Sequence, residues 1–135
     1  MMMMVAPLER ESRSRVAQTI LVVDDDPDVL EVVVMMLEIE GYTAKAARDG
    51  AEALEMIERE RPGLVLLDMR MPGMDGWTFA RELATRGIDV PVVVMTAARD
   101  AQRWASEIDA NAHLGKPFQI DNLVETVDRV LRENG

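Results

Sequence analysis

Short apolar runs alternate along this chain with stretches of helical periodicity. TILVV (19–23) is apolar and β-branched, and it runs into three aspartates. In PDVLEVVVMMLEIE (27–40), Leu30, Val33, Val34 and Leu37 share one helical face; Asp26 can cap that helix, Pro27 sits in its first turn, and Gly41 ends it. YTAKAA (42–47) reads as a modest strand. GAEALEMIERE (50–60) places Ala53, Leu54 and Ile57 at helical spacing before Arg61-Pro62 stops it. LVLLD (64–68) and VPVVVMT (90–96) are continuous apolar runs, as expected of strands buried on both faces. DGWTFARELATR (75–86), capped by Asp75 and closed by Gly87, and ARDAQRWASEI (98–108) read as helices. AHLG (112–115) reads as a short strand. DNLVETVDRVLREN (121–134) aligns Leu123, Val124, Val127, Val130 and Leu131, with Asp121 as its expected cap.

The order is strand then helix, five times. Apolar strands separated by helices predict an α/β fold, a doubly wound five-stranded parallel sheet covered on both sides. Five units are too few for an eight-fold barrel. The 135 residues suit one domain, taken as residues 18–135. Charge and serine dominate residues 9–15, so residues 1–17 read as a flexible tail.

Composition narrows the chemistry. There is no cysteine, which excludes disulfides, thiol catalysis and thiolate metal sites and fits a cytoplasmic protein. The formal net charge of −10 disfavours direct nucleic-acid binding. No apolar run approaches the roughly 18–20 residues of a membrane span, and the N-terminus lacks the features of a signal peptide. Of the 15 basic residues only Lys45 and Lys116 are lysine, so each is a candidate for a position where arginine will not serve.

In an open α/β sheet the site lies beyond the carboxyl ends of the strands. Asp24 and Asp25 follow the first strand, Asp68 the third, Thr96 the fourth and Lys116 the fifth. Carboxylates brought together repel one another unless a cation joins them. Oxygen donors without His or Cys suit Mg²⁺, or Mn²⁺. With a lysine and a hydroxyl added, the set describes a place where a phosphoryl group is held and transferred. Pro72, Gly73 and Gly76 would turn the loop after Asp68 and let main-chain groups approach a small ligand.

LVVDD, LLDMRMPGMDG, VVVMTA and LGKPF, in this order and spacing, resemble the receiver domain of two-component response regulators over about residues 18 to 133. The resemblance implies the flavodoxin-like strand order 2-1-3-4-5, which is carried over from the family. It implies that Asp68 is the phosphoacceptor. Asp25, Asp68 and the backbone carbonyl of Arg70 would be the Mg²⁺ ligands, with Asp24 acting through metal-bound water. Thr96 would be the switch hydroxyl and Lys116 the phosphoryl-binding cation, at a Lys116-Pro117 bond that is usually cis. His113 falls where the family usually has an aromatic switch residue; it reads equally well as a packed or surface histidine. The resemblance also implies that Arg70 and Ala98 flank the site, at variable positions that in the family tune phosphate lifetime.

The implied partners are a sensor histidine kinase or phosphotransfer protein and a downstream protein or output domain. The helix 4–strand 5–helix 5 face would carry the signal in a monomer or a phosphorylation-dependent dimer. Trp104, at the edge of the Ala101, Ala105 and Ile108 stripe, would be an exposed partner-binding residue beside that strand, together with His113. Asp109 stands where glycine often ends the fourth helix, and the span from Thr96 to Lys116 is about two residues short of the usual pattern, which predicts a short or displaced helix. Two alternatives stay open: a phosphohydrolase of haloacid-dehalogenase type, using an Asp of DDDPD as nucleophile, and an interaction domain without phosphorylation.

Overall fold

A computed structural model describes residues 18–134. The expectation of a flexible tail at 1–17 lies outside the described residues. Five strands, β1 (Thr19–Val23), β2 (Thr43–Ala47), β3 (Leu64–Leu67), β4 (Val92–Ala97) and β5 (Ala112–Lys116), alternate with five helices. The helices are α1 (Pro27–Ile39), α2 (Gly50–Arg59), α3 (Gly76–Thr85), α4 (Ala98–Glu107) and α5 (Ile120–Asn134). Every strand pairing is parallel, and the sheet order is β2-β1-β3-β4-β5.

Alternation along the strands explains the two layers. Leu21, Val23, Val65, Leu67, Val92 and Val94 point to one face, where α2, α3 and α4 cover them with Leu54, Phe79 and Trp104 among others. Ile20, Val22, Leu64, Leu66, Val93, Met95 and Leu114 point to the other, under Leu37 of α1 and Leu123 and Val127 of α5. The central strands β3 and β4 therefore read as unbroken apolar runs because both of their faces are covered. Tyr42 donates its hydroxyl proton to Asp128, tying the entrance of β2 to α5.

Caps set most helix starts. Asp26 accepts from the Asp28 N–H, Asp49 from Glu52 and Asp75 from Thr78. Asp121 is not a cap: α5 begins one residue earlier, and the carbonyl of Gln119 accepts from the N–H groups of Asn122 and Leu123. Asp121 instead places its charge in the first turn, where the helix dipole favours it. Helix α4 starts directly at the end of β4 with no side-chain cap and is ten residues long. Asp109 follows it with φ 58°, the left-handed geometry expected there. On the outer side of α1, Val32, Met35 and Ile39 stay exposed.

Candidate functional site

The strand order reverses between β1 and β3, and the acidic residues stand at the carboxyl ends of these two neighbours. The ladder runs one residue beyond the strands. The Asp24 N–H donates to the Ala47 carbonyl at 3.1 Å, and the Asp68 N–H donates to the Val23 carbonyl at 2.9 Å. Two pinned main chains thus hold Asp24 and Asp68 side by side. One carboxylate oxygen from each of Asp24, Asp25 and Asp68 lies within 4.8 Å of the other two.

The three carboxylates are not equivalent. Asp24 is buried, its Oδ2 accepts from Lys116 Nζ at 2.6 Å, and its Oδ1 accepts from the Asp26 N–H at 3.0 Å. Both of its oxygens are therefore engaged by the protein. Asp68 is buried but loosely held: Lys116 Nζ lies 3.7 Å from Oδ2, and the Arg70 N–H reaches Oδ1 at a long 3.4 Å. Asp25 is exposed at the mouth.

The Asp68 carboxyl is raised from 3.8 to about 6, chiefly by burial and next by the Asp24 charge. Lys116 and the Arg70 N–H pull in the opposite direction, and Asp25 pushes it further up. A carboxylate so placed lacks countercharge. The donor set is oxygen-only, within a few ångströms, and open at Asp25, which fits a hard divalent cation.

Thr96 is buried on β4, where its Cα partner is Gly115, the residue before Lys116. It therefore stands on the same rim, and the Lys116-Pro117 bond is cis. The loop after Asp68 owes its shape to two different uses of glycine. Gly73 adopts φ 77°, which disfavours a side chain. Gly76 instead permits contact, because a Cβ there would lie 2.7 Å from the Met69 Cα, so the start of α3 rests directly on the chain just beyond Asp68.

One sequence-predicted partner residue needs correction. Trp104 is 9% exposed and belongs to the core on the α2–α3–α4 side of the sheet. Its ring meets Trp77 edge-on, with centroids 4.9 Å apart, and the guanidinium carbons of Arg70 and Arg103 lie 5.9 and 5.8 Å from its centroid. The helical stripe on α4 is thus centred on Trp104 and not bordered by it. His113 is exposed, and its Cα partner is Val94, two residues before Thr96. Lys45 stands away from the acidic cluster, in a surface pair with Glu60 at 3.3 Å. The Trp77–Trp104 pair and the Arg70 stack escaped sequence reading because their members come from separate segments with no shared periodicity.

Residues 20–128 match the family model described as response regulator receiver domain. The chain belongs to the response regulator receiver family. Among curated relatives, the receiver is 42% identical over 115 residues to response regulator MprA of Mycobacterium ulcerans, covering 84% of this chain and 50% of that protein. It spans about half the length of the curated relatives it matches. Among solved structures, the receiver domain of NtrX from Brucella abortus superposes with a TM-score of 0.78 at 32% identity, covering 84% of this chain and 98% of that one. Chemotaxis protein CheY4 of Vibrio cholerae gives a TM-score of 0.75 at 27% identity, covering 84% and 98%. The shared fold includes the strand order carried over from the family. Nothing among these matches supports the phosphohydrolase reading.

Proposed function

We propose that this receiver accepts a phosphoryl group on Asp68 from the phosphohistidine of a sensor kinase or phosphotransfer protein. The observation that carries the reading is the cluster itself: three carboxylates within 4.8 Å, with one ammonium 2.6 Å from Asp24 and 3.7 Å from Asp68. Asp25, Asp68 and the Arg70 carbonyl would hold a Mg²⁺ ion, with Mn²⁺ a possible substitute and Asp24 reached through water. When bound, the cation supplies charge neutralisation for the incoming phosphoryl oxygens.

The protein's own residues do the rest. Asp68 Oδ attacks phosphorus, the phosphorus–nitrogen bond of the donor breaks, and the histidine nitrogen leaves with the electron pair. The product is an acyl phosphate on Asp68. Weak holding of Asp68 leaves its oxygens available, while Asp24 keeps Lys116 in reserve. Once Asp68 carries a phosphoryl group, Lys116 has a nearby anion to pair with. Thr96 would donate its hydroxyl to the same group. Hydrolysis then returns Asp68 to its carboxylate, so the expected chemistry is self-phosphorylation and self-dephosphorylation without turnover of an external substrate.

We take residues 18–135 as the receiver unit, working in the cytoplasm, where its kinase would present the phosphohistidine. No helix among the described residues is long and apolar enough to cross a membrane. The downstream partner or output domain would read the α4–β5–α5 face, in a monomer or a phosphorylation-dependent dimer. The test is incubation with acetyl phosphate, followed by mass spectrometry. One phosphoryl group should appear with Mg²⁺, vanish with a chelator, and be absent in Asp68→Asn. A folded wild-type protein that stays unmodified with Mg²⁺ present would overturn the proposal.

A further inference from the structure

Arg70 belongs to two networks at once. Its N–H donates to Asp68 Oδ1, while its guanidinium covers the Trp104 ring and forms no ion pair among the described residues. Trp104 lies on α4, and its ring also packs edge-on against Trp77 of α3. One stack thus joins the chain segment beside the acidic pocket to two helices. The N–H bond it adjoins is long, at 3.4 Å, so the segment has room to close on Asp68. The residue at 113, where family members usually carry an aromatic side chain, is here an exposed histidine with no aromatic contact among the described residues.

We infer that the Arg70–Trp104 stack positions the main chain at the acidic pocket and couples occupancy of that pocket to α4. Trp104 is a positioning residue in this scheme, acting through Arg70. Coupling is reciprocal: if the stack helps the pocket bind a cation, a bound cation must perturb the indole. The inference rests on the reading of the pocket as a cation and phosphoryl site.

Its sign separates it from simple electrostatics. Removing the Arg70 charge would by itself favour a nearby cation, so a charge effect alone tightens Mg²⁺ binding in Arg70→Met. Loss of positioning weakens it. A cation–π contact of ordinary strength corresponds to about a two- to fivefold change in Kd.

The experiment uses the full chain carrying Trp77→Phe, which leaves Trp104 as the single indole. Mg²⁺ is titrated with and without beryllofluoride. Trp104 emission is followed in parallel with calorimetric binding, and circular dichroism checks the fold of each variant. Emission should change with the same midpoint as the calorimetric isotherm. Adding Arg70→Met should weaken binding about two- to fivefold and abolish most of the emission change, and Arg70→Lys should restore part of both. Since Arg70 is exposed, these variants should fold. Calorimetric binding with a silent indole, or an Arg70→Met protein that binds as tightly as its parent with the emission change intact, would overturn the coupling. Absence of any calorimetric binding in the wild type would instead overturn the site reading on which it rests.

Discussion

Asp68→Asn is expected to stabilise the cation-free protein at neutral pH. Asp68 is 7% exposed, stands beside Asp24 and Asp25, and receives only a distant share of the Lys116 charge, at 3.7 Å. Its carboxyl is raised from 3.8 to about 6, mainly by burial. At about 1.4 kcal/mol per unit, keeping Asp68 ionised costs the folded state up to about 3 kcal/mol. Asparagine keeps the shape and drops the charge. Its amide needs partners that a carboxylate does not, so a net gain of about 1–3 kcal/mol is expected.

The pH dependence follows from the same shift. Between 3.8 and about 6 the folded protein holds a proton on Asp68 that the unfolded chain has released. Stability from this group is complete below that window and is lost as the pH rises through it. The gap between variant and wild type should therefore be widest near pH 7 and shrink as the pH approaches about 4. Mg²⁺ should narrow it at pH 7 by binding the folded wild type alone, worth about 2.7 kcal/mol at a hundredfold excess over Kd. Urea unfolding midpoints, read in chelator and in Mg²⁺ across this range, test all three statements. An asparagine variant less stable than wild type at pH 7 in chelator would refute the reasoning, as would a gap that ignores pH.

Lys116→Ala should abolish phosphorylation by acetyl phosphate, seen by mass spectrometry. It should also destabilise the cation-free protein by roughly 3 kcal/mol in urea unfolding, because Asp24 is left buried without its ammonium. Gly76→Ala should cost about 1–3 kcal/mol in the same assay, since its Cβ would lie 2.7 Å from the Met69 main chain and must push α3 off the loop. Gly115→Ala meets Ala98 at both Cα, 2.6 Å, and Cβ, 2.7 Å, so adding Ala98→Gly should recover only part of a similar loss. Tyr42→Phe should lower stability by about 0.5–1.5 kcal/mol through the lost bond to Asp128, with phosphorylation of Asp68 unaffected.

The fold was legible because its strongest signals are local. The apolar runs at 64–67 and 92–96 fall in central strands whose two faces are both covered, and the helical stripes at 53–57 and 123–130 fall on the core. The acidic pocket was legible because the sheet converts strand order into proximity: any residue just past β1 and β3 must meet its counterpart. Side-chain direction across helices was not legible. Trp104 looked like the border of a stripe because Ala101, Ala105 and Ile108 could bury α4 by themselves. In the structure Trp77, from a segment far away in sequence, draws the indole inward. Asp121 failed as a cap for a smaller reason, since any of several residues after Pro117 could begin the last helix and tertiary packing chose Ile120.

The departures from the usual family pattern converge on α4. This helix begins without a connecting loop, directly after β4, and its first residue, Ala98, rests against Gly115 of β5 so closely that no side chain fits at 115. Its other side is fixed by the Trp104–Trp77 contact and by the Arg70 guanidinium. Turning α4 independently would break an aromatic pair worth about 0.5–1.5 kcal/mol beyond the area it buries. Reorienting exposed His113 breaks no aromatic or cation–π contact among the described residues. The residue that costs little to move is a poor carrier of a signal, because it has few contacts whose energies could differ between two states. The helix clamped on two sides moves only when one of its clamps does, and one of them, Arg70, stands two residues from the proposed phosphoacceptor.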